Sequence, residues 1–211
     1  MTKTLPHESL VRIANQVGVP VDQILPDPPP GTATEDDLLC SGLAVELVRG
    51  TLVRRAGDVF SSSIAAEVGF RLADHAEDTG VRVLIATGTG PFRLRNGDVR
   101  SSSISLKRAE RLRGDPTAAI PDWVPDLAVE VLSPGNTVRE MADKRAEYLA
   151  SGVREVWEID PRKRTGRVYR PDGTSKELAA DDAFEGGDIL PGFAMRLADP
   201  IDAVLEDAGD A

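Results

Sequence analysis

Residues 125–132, PDLAVEVL, constrain this chain more than any other segment. Strand alternation places Leu127, Val129 and Val131 on one face and Asp126, Ala128 and Glu130 on the other. The first face suits a hydrophobic core. The second carries two carboxylates four residues apart, and neighbouring carboxylates repel unless a cation or a proton separates them. SPGN breaks the strand. A helix is predicted over about 137–150, with Gly152 at its end, and residues 153–159 read as another strand.

The remaining segments surround this unit with hairpins. In AVELVRGTLVRR two short apolar strands flank Arg49-Gly50. In FRLRNGDVRS, Asn96-Gly97 lies between two strands, a strong local hairpin signal, and the second arm is expected to run on over 101–106. A third hairpin turns at Asp172-Gly173. Ile64, Val68 and Leu72 form the stripe of a helix over about 60–77 that ends at Gly80. Residues 81–86 form an apolar run of strand length, and Thr34 followed by three acids marks a helix start. This order predicts an α/β (α+β) domain with a mixed central β-sheet flanked by helices. It occupies residues 34–198, between an arm over 1–33 with a PDPPPG linker and an acidic tail over 199–211.

Composition narrows the setting. At 211 residues one domain is expected, and with only 4% aromatics its core must be built from Val, Ile, Leu and Ala. The lone cysteine, Cys40, cannot form an internal disulfide, which suits the cytoplasm. No segment approaches the roughly 20 apolar residues of a membrane span, and the N-terminus has no secretory apolar run. One cysteine with two scattered histidines, His7 and His75, argues against a zinc site. The net charge of −10 is concentrated at the end: ten acids and one base over 177–211 carry −9, leaving −1 for residues 1–176. Two basic clusters stand in that near-neutral body. They are Lys107, Arg108, Arg111 and Arg113, then Arg162, Lys163, Arg164, Arg167 and Arg170. They read either as solvated faces or as a phosphate-binding surface.

Lys144 follows Glu130 by fourteen residues, on the next helix. A hard divalent cation such as Mg²⁺ would relieve the conflict between Asp126 and Glu130, and an ammonium nearby could orient a metal-bound water toward a phosphodiester. The plainer reading stands beside it: Asp126 caps a loop, and Glu130 pairs with Lys144 or an arginine.

PDLAVEVLSPGNTVREMADKRAEYLASGVREVWEIDP closely resembles the signature of the Uma-two family of the PD-(D/E)XK superfamily. AVELVRGTL resembles that family's opening strands, FRLRNGDVRS its central hairpin, and VYRPDG with GGDILPGF its closing segment. The resemblance covers about residues 34–198. It implies a restriction-endonuclease-like core, DNA as the partner, and Mg²⁺ or Mn²⁺ held by acidic residues. It matches Glu130 to the acid of the (D/E)XK half and Lys144 to a lysine drawn from the following helix. Asp126 matches a Pro-Asp pair, and Glu46 an acidic position in the opening strand. The chain departs from the pattern where the central hairpin should carry Pro-Asp: Ser102 and Ser103 stand there. Ser61 and Ser62 replace a His-Gly at the start of the long helix.

Two readings follow. In one, Asp126, Glu130 and Lys144 serve a metal-dependent endonuclease, with Glu46 and Ser103 as additional candidates. In the other, the fold persists as a binding or interaction module without catalysis. A homodimer is expected for either, because cutting two strands needs two sites and restriction-like folds pair.

Overall fold

The computed structural model describes residues 6–42, 44–88 and 90–209. Its local frame follows from turns and caps. Strands β1 (Val45–Val48) and β2 (Thr51–Arg54) pair across a two-residue turn at Arg49 and Gly50, both with positive φ, as such turns require. Gly50 also meets the backbone of Gly31, where a Cβ would lie 2.8 Å from the carbonyl carbon. Thr34 caps α2 (Glu35–Cys40), Asp58 caps α3 (Val59–Thr79) and Thr137 caps α4 (Val138–Ser151), each through a capping box. Gly80 and Gly152 close α3 and α4 in the left-handed conformation.

The strands build two main sheets. The larger has six strands in the order β10 (Ser175–Leu178), β9 (Thr165–Tyr169), β8 (Glu155–Asp160), β7 (Leu127–Val131), β6 (Ile104–Arg108) and β3 (Val83–Thr87). Only β7 and β8 are parallel, joined by α4 as a parallel pair demands; every other pairing is antiparallel. The smaller sheet runs β2, β1, β5 (Val99–Arg100), β4 (Phe92–Arg93). A separate hairpin joins β11 (Ala183–Glu185) to β12 (Ala194–Arg196). The mixed central sheet flanked by helices is therefore borne out.

Alternation along β7 divides the interior. Leu127, Val129 and Val131 join Ile64, Val68 and Leu72 of α3 in the main core, together with Trp157, Phe184 and Phe193. On the opposite face Ala128 and Val156 pack against Tyr148 of α4 and Phe92.

Two details depart from expectation, and a third concerns an arm whose packing the sequence left open. The arm of the central hairpin does not run on: β5 ends at Arg100, and after Ser101 to Ser103 the chain enters the other sheet as β6. The acidic tail contains α5 (Ala198–Gly209), which buries Ile201 against the main core and packs on α3. The arm is docked through α1 (His7–Val17), where Ala14 and Val17 pack on Val48 and Val53 of the first hairpin.

The Thr137 hydroxyl accepts from the Glu140 backbone N–H at 3.0 Å and starts the helix that carries Lys144. Thr137→Ala should lower stability by about 1 kcal/mol in urea titration while leaving the m-value unchanged.

Candidate functional site

Glu46, Glu130 and Lys144 come from three elements, β1 in the small sheet, β7 in the large sheet and α4, and meet in the interior. Lys144 Nζ lies 2.9 Å from Glu46 Oε1 and 3.0 Å from Glu130 Oε1. All three side chains are nearly inaccessible, so each charge needs a partner. Tyr148, one helical turn beyond Lys144, donates its hydroxyl to Glu130 Oε1 at 2.8 Å. Arg100 Nη1 donates to Glu46 Oε2 at 3.0 Å and its Nη2 to Glu147 at 2.7 Å. The backbone N–H of Ser101 donates to Glu46 Oε1 at 3.0 Å, and Arg55 Nε stands 3.6 Å from the same oxygen. Three carboxylates, Glu46, Glu130 and Glu147, thus share three cations, Lys144, Arg100 and Arg55.

Burial alone would raise the Glu46 pKa, but Lys144, Arg100 and Arg55 outweigh it and pull it down to about 2. Arg100 is likewise disfavoured by burial, yet Glu46 and Glu147 hold its pKa above the ordinary arginine value. Burial, then Glu130 and Glu46, drive the Tyr148 pKa upward, so the phenol stays protonated and remains a donor. Glu140 and Glu147 are pushed up chiefly by burial.

Asp126 does not join this cluster. It shares a face with Glu130, but four strand residues span about 13 Å. Its carboxylate accepts from Arg111 Nε at 2.7 Å and the Arg108 backbone N–H at 2.9 Å, with Lys107 Nζ 3.5 Å away. These partners come from the first basic cluster and serve as an internal counter-charge to a fully buried acid. The second basic cluster is also spoken for: Arg162, Lys163, Arg164, Arg167 and Arg170 pair with Asp58, Asp160, Asp202, Glu177 and Glu155.

Ser103 is tied to the strand that carries Glu130. Its hydroxyl accepts from the Val131 backbone N–H at 3.1 Å, directly after Glu130, while Ser102 turns inward to Ser105 and the Ile104 carbonyl. Ser103 lines a pocket of about 550 Å³ together with Ser61, Ser62, Arg55, Thr87 and Val131. Arg55 is the sole charged side chain among the described residues lining it.

A family model described as “Putative restriction endonuclease”, Uma2, matches residues 34–198. The chain belongs to the Uma2 family. The fold has a counterpart in the crystal structure of a protein described as a putative nuclease belonging to DUF820, from Anabaena variabilis ATCC 29413. That structure aligns with a TM-score of 0.70 and 19% identity over 80% of this chain and 97% of the other. No curated protein sequence matches the chain.

The donor set of this Uma2 protein does not fit a divalent metal. Mg²⁺ favours several hard, anionic oxygens. Glu46 and Glu130 already share Lys144, Asp126 is held elsewhere, and Ser103 offers a neutral hydroxyl. Among the described residues no group of three His, Cys, Asp or Glu side chains could hold a metal ion. Sequence reasoning singled out Glu46, Glu130 and Lys144, and missed Arg100, Tyr148, Glu147 and Arg55. The spacing of Tyr148 four residues after Lys144 was an available signal; the arginines carried none.

Glu46 has a folded pKa of about 2 against an ordinary value of 4.5, so it contributes stability above pH 4.5 that fades as pH falls toward 2. Glu46→Gln should cost about 3 kcal/mol at pH 7, and the gap from the wild type should close between pH 4.5 and 2 in denaturant titrations. An unchanged gap across that range would contradict the assignment.

Proposed function

We propose that this Uma2 protein uses the nuclease fold to bind a phosphate-bearing ligand, DNA in the first instance, at the pocket beside Ser103, without hydrolysing it by a metal-assisted route. The observation that carries this reading is the position of Lys144 Nζ between Glu46 and Glu130. Its ammonium supplies the positive charge that a divalent ion would otherwise bring to those carboxylates. Replacing the expected hairpin aspartate by Ser103 removes the charge that would tip the balance back toward a metal. Arg55, whose Nε pairs with Glu46 at 3.6 Å, also lines the pocket, and the further N–H donors of a guanidinium suit phosphate oxygens. The cytoplasm fits this role, since an exposed single thiol such as Cys40 stays reduced there. No helix among the described residues is long and apolar enough to cross a membrane.

The second reading is a Mg²⁺- or Mn²⁺-dependent DNA endonuclease built on Asp126, Glu130 and Lys144. One observation favours it: Glu46 and Glu130 converge on a single point although they come from different sheets. It requires Lys144 to give way to the ion, and it leaves Asp126 outside the site.

Calorimetric titration with MgCl₂ and MnCl₂ separates the two. The wild type should give no binding heat, and Ser103→Asp should gain a measurable site. Fluorescence anisotropy with a labelled DNA duplex in EDTA should register binding that Arg55→Ala weakens about tenfold. Metal binding by the wild type that Glu130→Ala abolishes, with cleavage of plasmid DNA, would overturn the proposal in favour of the endonuclease.

A further inference from the structure

Ile104 and Leu106 of β6 point into the main core, so strand alternation turns Lys107 to the other face of the sheet. There it stands between Leu84, its partner on β3, and Asp126, just before β7. Its side chain is only 8% exposed. A buried ammonium carries three donors and needs acceptors close by. Asp126 Oδ1 lies 3.5 Å from Lys107 Nζ, beyond the roughly 3.2 Å of an ordinary hydrogen bond. That oxygen already accepts from Arg111 Nε at 2.7 Å, and Oδ2 accepts from the Arg108 backbone N–H at 2.9 Å.

The neighbours of Lys107 add cations rather than acids. Burial pushes the Lys107 pKa down and Asp126 pulls the other way, while Arg111 and Arg113, exposed just after β6, add to the effect of burial. Arg113 forms no ion pair among the described residues, and its Nη1 donates to the Glu110 and Leu112 carbonyls. The acids nearest to it in the chain are engaged: Glu110 pairs with Arg108, and Asp115 accepts from Thr117. Lys107, Arg111 and Arg113 therefore share one carboxylate, which leaves two positive charges in excess.

We infer that Lys107, Arg111 and Arg113 form a binding site for a phosphate monoester dianion. Such a group carries about −1.5 to −2 charge at pH 7 and three acceptor oxygens, which matches the excess. Guanidinium forks take phosphate oxygens in pairs, and the lysine adds a point charge beneath them. Asp126 has a structural task in this arrangement: it holds Arg111 by Nε and offsets part of the repulsion among the cations before a ligand arrives. A phosphodiester, with a single charge, leaves one of the two cations unmatched. The site stands about 13 Å from Glu130 along the PDLAVEVL segment. None of its residues lines the Ser103 pocket, so the inference does not depend on what that pocket binds.

Calorimetric titration of the full chain with inorganic phosphate, at fixed ionic strength, tests the inference. The wild type should bind phosphate, and Arg113→Ala, at an exposed position, should weaken that binding about tenfold. Its circular dichroism spectrum and its melting temperature in phosphate-free buffer should stay unchanged. Lys107→Met should abolish binding. If Lys107→Met does not fold, the amide NMR spectrum of the wild type supplies the second measurement: signals of residues 107–113 should shift on phosphate addition and saturate. Dimethyl phosphate, a monoanionic diester, should bind about tenfold more weakly than phosphate. A wild type that gives neither heat nor shifts at 107–113 with millimolar phosphate would overturn the inference. So would binding that Arg113→Ala leaves intact, or equal affinity for dimethyl phosphate. Phosphate binding lost in Arg55→Ala but kept in Arg113→Ala belongs to the Ser103 pocket; it would overturn this inference and leave the reading of that pocket standing.

Discussion

Lys144 holds its ammonium 2.9 Å from a carboxylate of the small sheet and 3.0 Å from one of the large sheet. Two buried acids could not approach one point without it, because their mutual repulsion adds to the cost of leaving water. The other members of the cluster follow from the same constraint. Arg100 and the Ser101 amide satisfy what remains of Glu46, and Tyr148 supplies a neutral donor to Glu130. Arg100 closes the network by reaching Glu147 on the helix that carries Lys144. The junction between the sheets therefore combines this buried ion network with apolar packing of Phe92 from the small sheet on Ala128 and Val156 of the large one.

The same arithmetic of charge bears on chemistry. A metal-dependent site in this fold needs an excess of acid over base at the reacting centre. Here the ion pairs match Glu46, Glu130 and Glu147 with Lys144, Arg100 and Arg55, Glu140 lies within electrostatic reach of Lys144, and Ser103 in the pocket that Arg55 also lines is neutral. Asp126 shows how a buried acid elsewhere on the same strand is handled, with Arg111 and Lys107 folded over it. In this chain both acids of the PDLAVEVL segment are neutralised from within, Glu130 by Lys144 and Asp126 by Lys107 of β6 and Arg111 just after it.

Much of this was legible in the residues. The Arg49-Gly50 turn, the capped starts at Thr34 and Thr137, and the αL stops at Gly80 and Gly152 are local features, and local features survive folding unchanged. The division of β7 into a core face and a charged face was equally clear. The end of the chain was less so. Its acids read as a solvated tail, but Ile201 follows helical logic and finds a buried place on α3 that no window of sequence reveals. The break after Arg100 escaped for a similar reason, since leaving one sheet for another is decided by distant strands.

By itself the sequence determined the element types, the mixed sheet, the family, and the candidates Glu46, Glu130 and Lys144. Periodicity, turn chemistry and motif order are properties of neighbouring residues. Only the tertiary structure decided that Glu46 and Glu130 share one lysine while Asp126 stands apart with its own arginine. It also decided that Arg100, fifty-four positions from Glu46, completes the network. Which charges meet in an interior depends on where separate strands and helices place them, and that distance is written in the packing of the whole fold.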